Sequence, residues 1–137
     1  MIRSGYDDDY GCDDPLASGR YRGAVASAIR GKNGQAFLKE LLAAFDKIEP
    51  KRLVSWELEK DGEICALGAV GRERGIDMSG MDPEDIENVA LTFGINEKLA
   101  REIVYMNDEC GPHKETPEAR YERMRHWITS QIHEVAP

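Results

Sequence analysis

Residues that form disulfides or hold soft metals are scarce in this chain, whose 137 residues include three cysteines and three histidines. Cys12, Cys65 and Cys110 are odd in number and widely scattered, so they draw no disulfide framework of the small secreted kind, and reduced thiols are expected. Cys110 and His113 stand at the spacing of half a zinc site, but Cys12, Cys65, His126 and His133 supply no second close pair. An exposed loop cysteine beside a surface histidine is the expected reading, with no metal bound. Apolar runs are short too: nothing resembles a signal peptide and nothing is long enough to cross a bilayer. A cytoplasmic protein without membrane contact is therefore expected.

Catalytic signatures are equally thin. The chain has no nucleophile elbow, no phosphate-cradling glycine loop and no paired-carboxylate motif. Gly68, Gly71 and Gly75 are wrongly spaced for a dinucleotide fingerprint and lack its preceding strand. Neither Asp7–Gly11 nor Asp77–Asp82 carries the alternating oxygen ligands and distant glutamate of a calcium loop. The expectation is a protein that is not an enzyme and needs no cofactor.

What the chain does have is negative charge. Twenty-six acids against 18 bases give a net −8, which disfavours unspecific attraction to nucleic acid or anionic lipid and favours a basic protein partner. The excess is local: between Asp82 and Glu118 ten acids face three bases. Residues 17 to 53 lean the other way, with eight bases against three acids, so a dipolar molecule is expected. Arg72, Arg74, Arg120, Arg123 and Arg125 are candidates to pair with the acidic block.

Residues 1–15, rich in aspartate and almost devoid of apolar side chains, read as a mobile acidic tail. Residues 16–137 read as one domain, mainly α, a single compact unit of five or six helices with a small β-hairpin near residues 53–65. Tyr21, Ala24, Val25, Ala28 and Ile29 recur at helical spacing from Ser18 until Gly31 stops the run. After a turn at Lys32-Asn33-Gly34, Phe37, Leu38, Leu41, Leu42, Phe45 and Ile48 make a fuller apolar face that Pro50 ends. Val54, Trp56 and Leu58 alternate with polar residues ahead of Asp61-Gly62, which predicts a hairpin whose Trp56 face lies on the helices. Residues 66–74 fit a helix better than a glycine-weakened strand. A last helix opens at the Thr116-Pro117-Glu118 cap and presents Tyr121, Met124, Trp127, Ile128, Ile132 and Val135 to the core.

The most telling stretch runs from Asp82 to Asp108. Asp82 is placed to cap a helix with Pro83 in its first position, Gly94 breaks it, and Asn96 caps a second helix from Glu97. Ala90, Ile95 and Ile103 resemble the apolar scaffold of a helix-turn-helix. Yet the second helix offers Glu97, Glu102, Asp108 and Glu109, and a carboxylate near phosphate costs affinity. Acids that imitate a row of phosphates suit a basic groove on a nucleic-acid-handling protein instead. The candidate contacts are Asp82, Glu84, Asp85, Glu87, Glu97, Glu102, Asp108 and Glu109.

Three stretches, Arg22-Gly23-Ala24-Val25-Ala26-Ser27-Ala28-Ile29-Arg30-Gly31-Lys32, Cys65-Ala66-Leu67-Gly68-Ala69-Val70-Gly71 and Glu115 to Trp127, look like those of small uncharacterised proteins of tailed phages and prophages. The resemblance implies a phage or prophage accessory protein in the bacterial cytoplasm and brings no activity or catalytic residues with it. By analogy with anti-CRISPR-type inhibitors, it implies docking onto a host protein with a basic surface. The alternative is a small helix-turn-helix transcription regulator that uses the second helix of the pair on DNA.

Overall fold

The computed structural model describes residues 15–112 and 114–133; all of the expected acidic tail at residues 1–15 except Pro15, with Cys12, and also His113 and Val135 lie outside them. Among the described residues the chain forms six helices and one small hairpin. The order is α1 (Pro15–Arg30), α2 (Lys32–Asp46), β1 (Glu59–Lys60), β2 (Glu63–Ile64), α3 (Ala66–Arg74), α4 (Ile86–Phe93), α5 (Glu97–Asp108) and α6 (Pro117–Gln131). The mainly helical reading with a small hairpin is what the chain adopts.

The first two helices follow the apolar spacing, but their junction is tighter than a Lys32-Asn33-Gly34 turn. α2 already begins at Lys32, and Gly31 alone, in extended conformation, makes the corner. Gly34 permits this: a Cβ there would lie 1.9 Å from the Ala28 carbonyl oxygen, so the first turn of α2 sits directly on the last turn of α1. Gln35 completes the joint. Its buried amide donates to Ile29 O at 2.8 Å and to Gln131 O at 3.0 Å, and its oxygen accepts from His133 N–H, tying the C-terminal ends of α1 and α6 to α2. α1 starts at Pro15, earlier than Ser18, and α2 ends at Asp46, so Ile48 is buried outside the helix. Orphan carbonyls at the end of α2 are answered by Lys51, which donates to Phe45 O and Asp46 O, and by the Tyr121 hydroxyl, which donates to Phe45 O at 3.0 Å.

The hairpin is shorter than its alternating pattern. Asp61 and Gly62 have φ of 52° and 82°, the paired positive angles of a tight two-residue turn, and only Glu59–Ile64 and Lys60–Glu63 pair across it. Residues 53–58 are not a strand. Leu53 and Leu58 are buried, but Trp56 turns outward and is 45 % exposed, so the expected Trp56 face does not lie on the helices. The segment is held by hydrogen bonds that no alternation reveals: Val54 N–H to Ile64 O, and Asn107 Nδ2 to Val54 O. At residues 66–74 the helical reading holds. Cys65 caps α3 by accepting the Gly68 N–H at Sγ, and a Cβ on Gly68 would lie 2.1 Å from Leu58 O.

α1, α3 and α6 each contact both α2 and α5, while α4 packs chiefly on α5. One cluster of buried side chains draws on all six helices, from Val25 and Ile29 through Leu38, Phe45, Leu67, Phe93 and Ile103 to Met124 and Ile128. Arg74 then sews three helices together at the surface. It forks onto the Glu40 carboxylate with two contacts of 2.7 Å, donates to Phe93 O at the end of α4, and lies over the rings of Phe37 and Phe93. The hydrogen bond from Arg74 holds the Glu40 carboxyl below its ordinary value of 4.5.

A carboxyl whose folded value is depressed contributes stability that is complete above the ordinary value and lost as pH falls through the folded one. Glu40→Gln is therefore expected to flatten the acid limb of the stability curve below the ordinary value of 4.5, and to leave its slope near neutrality unchanged. Urea titrations across that range will show it; an unaltered acid slope in the variant contradicts the assignment.

Candidate functional site at an acidic helical corner

The corner between α4 and α5 is built much as the residues demand. Gly94 adopts φ +70°, where a side chain would be strained, and its N–H closes α4. The Asn96 side chain accepts the Lys98 N–H and opens α5. The start of α4 differs from expectation: the helix begins at Ile86, not at Pro83, and Asp85 is the cap, its Oδ1 accepting the Asn88 N–H at 3.2 Å. Asp82 instead closes a turn, accepting the Glu84 N–H at its carboxylate and the Asp85 N–H at its carbonyl. The physical reason is that each aspartate satisfies its own nearby donor: Asp82 spends its carboxylate on the Glu84 N–H in a local turn, and Asp85, next to the apolar run, takes the Asn88 N–H that opens the helix.

Ile86, Val89, Ala90 and Phe93 turn α4 inward. Its outer face carries Glu87, Asn88, Leu91 and Thr92, all exposed, with Asp82, Glu84 and Asp85 exposed at its head. Leu91 is 75 % exposed, so a large apolar side chain stands in water among carboxylates. The helical period already sets Leu91 apart from the core positions 86, 89, 90 and 93, but the acid count draws attention elsewhere.

The remaining candidate acids part company. Glu97 is exposed and pairs with Arg101 one turn on, at 2.8 Å. Glu102 is only 5 % exposed and forks onto Arg22 of α1 at 2.8 and 3.1 Å, so it joins α1 to α5 and presents no carboxylate outward. A surface role for Glu102 falls away, because its face of α5 is covered. Asp108 accepts the Trp56 N–H at 3.1 Å and the Asn107 side-chain N–H at 2.8 Å. Asp108 and Glu109 are half-buried at the far end of α5, about 18 Å along the helix from Glu97. The acids therefore divide into an exposed group around α4 with Glu97, one internal ion pair, and a separate group beside Trp56.

The arginines divide likewise. Arg120 and Arg123 do pair with the acidic block, through Glu115, and Arg123 also donates to Met106 O and Asn107 O at the end of α5. Arg74 and Arg125 pair outside the block, with Glu40 and Asp46, and Arg72 reaches Glu59. Within the basic first third of the chain, Arg22 and Arg52 are spent on Glu102 and Glu63.

α5 is a core helix. Leu99, Ala100, Glu102, Ile103, Val104 and Asn107 are buried, and α1, α3, α4 and α6 pack around it. Only Glu97 of its residues is exposed, which leaves a narrow, acid-tipped face to lay in a major groove. Cys110 is no activated nucleophile: burial of its sulfur, the largest influence, holds the thiol above its ordinary value, although Tyr105 and Arg123 pull the other way. Among the described residues no helix is long and apolar enough to cross a membrane. Neither a family model, nor a curated protein, nor a solved structure matches the chain.

Proposed function

We propose that this chain is a phage or prophage accessory protein that works by docking onto a basic surface of a host protein. The exposed head and outer face of α4 form the contact, and the bound carboxylates block a groove meant for nucleic acid, in the manner of an anti-CRISPR inhibitor. The observation that carries the reading is Leu91, 75 % exposed on the outer face of α4, with Glu87 and Asn88 exposed one turn before it and Glu84 and Asp85 exposed at the head of the helix. An apolar anchor on a helix whose outer face and head carry one sign of charge has the anatomy of a binding patch: desolvation of the anchor supplies affinity while the acids steer and orient approach. The likeness of residues 22–32, 65–71 and 115–127 to small phage proteins supplies the biological setting. Enclosure of α5 and the acids at both its ends disfavour the transcription-regulator reading.

Capture from a lysate of the lysogenic or infected host, with the purified chain as bait, tests the proposal. Leu91→Asp is expected to weaken capture about tenfold or more, and joint reversal of Glu84 and Glu87 to lysine to slow association about tenfold at low salt, less at high salt. Both changes fall on exposed residues and are expected to leave the melting temperature nearly unchanged. Capture that survives both substitutions overturns the α4 surface, and salt-sensitive binding of specific duplex DNA overturns the inhibitor reading altogether.

A further inference from the structure

One helical turn past Leu91 the surface changes sign. Gly94, exposed at the end of α4, lines a cleft of about 560 Å³ that opens onto the α1–α2 joint, with Ala28, Gly31, Lys32, Asn33 and Leu99 among its walls. We infer that the outer face of α4 and this cleft form one docking surface, whose occupant is an amphipathic helix of the partner laid antiparallel to α4. It sets basic residues over Glu84, Asp85 and Glu87, an apolar residue on Leu91, and an acidic residue in the cleft beside Lys32. The inference rests on the α4 contact proposed above and adds the shape and charge order of what binds there.

Charge complementarity carries the argument. From Pro15 to Lys39 the chain has no acid, and Arg30 and Lys32, both exposed, flank Gly31 at the cleft. None of the described residues lining the cleft bears a carboxylate, so nothing in its walls answers Lys32. A smaller cleft of about 170 Å³ continues it, sharing Asn33, Gly94 and Ile95, and the one carboxylate there, Glu40, is forked by Arg74 at 2.7 Å. Glu97, the first acid beyond the corner, pairs with Arg101. A uniformly basic occupant would satisfy the head of α4 but set its far end against Arg30 and Lys32. Glu87 and Gly94 are separated by about 10 Å of helix, so an occupant of about three turns reaches from the acids to the cleft with side chains three and four apart on one face. Laid antiparallel, it carries its acids at its own N-terminus and its bases at its C-terminus, the order its macrodipole favours.

The test titrates the full chain, labelled with nitrogen-15, at low salt with two capped alanine-based peptides of about 15 residues. The mixed peptide has glutamates in its first turn, leucine in the middle and lysines in its last turn; the basic peptide has lysine in place of each glutamate. Because the chain carries net −8, unspecific attraction favours the basic peptide, so a preference for the mixed one reports the cleft. The mixed peptide is expected to move the backbone N–H groups of residues 84–92 and 31–34 saturably, and to bind about fivefold tighter than the basic peptide. Lys32→Glu, an exchange at an exposed residue, is expected to weaken the mixed peptide about tenfold and to leave the basic one as tight or tighter. Equal affinity for the two peptides, residues 31–34 still while 84–92 move, or an unchanged response in Lys32→Glu would each overturn the inference and leave the α4 contact standing. Stillness of residues 84–92 with both peptides would overturn the two together.

Discussion

Gly34→Ala will melt about 10 °C below the parent protein, a loss of about 3 kcal/mol, although alanine is the better helix former. In an exposed helix the same exchange gains up to about 1 kcal/mol, because alanine orders with less loss of backbone freedom. At position 34 that gain is overwhelmed. The added Cβ would meet Ala28 O at 1.9 Å and Ile29 O at 3.0 Å, and both are backbone atoms that no rotamer change can move aside. α1 and α2 must separate, which also strains the Gln35 hydrogen bonds to Ile29 O and Gln131 O. Gly23→Ala is the internal control: position 23 is exposed on α1 and nothing lies within 4 Å of its would-be Cβ, so it is expected to hold or raise the melting temperature. Opposite signs for one substitution at two helical glycines isolate the close approach; equal effects would mean the helices do not touch there.

Position 34 also marks where reading along the chain stops being informative. The apolar period locates α2 and α6, and the glycine and asparagine flanking residue 95 locate the α4–α5 corner, because these signals are local and the backbone responds to them locally. The 53–58 segment has the same kind of local signal, a clean alternation, and it misleads. Its partners are distant: Leu53 N–H bonds to Pro117 O, Val54 to Ile64 and to Asn107, and Trp56 to Asp108. A strand pattern persists only if a neighbouring strand accepts it, and here a helix end does so instead.

The acids follow the same rule. Asp85, Glu87 and Glu97 are exposed as a polar residue on an amphipathic helix should be, whereas Glu102 is drawn inside by an arginine 80 positions earlier in the chain. The carboxylates from Asp82 to Glu118 share a stretch of chain but not a surface, since helix rotation places Glu102 on the side of α5 that α1 covers. The cue that was available lies in its neighbours: Leu99, Ile103 and Met106 put position 102 beside the apolar stripe, and Leu91 falls outside the stripe of its own helix.

Asn107→Leu is expected to cost about 4 kcal/mol, despite keeping the branched shape and adding apolar surface. Asn107 is 1 % exposed and spends both ends of its amide on backbone outside its own helix. Oδ1 accepts the Ala66 N–H, an orphan donor in the first turn of α3, at 3.1 Å, and Nδ2 donates to Val54 O at 3.0 Å. Leucine leaves both groups buried without a partner, and each such group costs about 1–3 kcal/mol, more than the extra methyl groups return. Asn107→Asp separates the two bonds. It keeps an acceptor for Ala66 but opposes its new charge to Val54 O and to the Asp108 carboxylate, so residues 53–58 are expected to loosen while α3 stays capped. Hydrogen exchange at Val54, Trp56 and Ala66 reads the difference: faster exchange at all three in the leucine variant, and at Val54 and Trp56 alone in the aspartate variant. Were Trp56 protected to the same degree in every variant, Asn107 would not be what holds the tryptophan loop against α5.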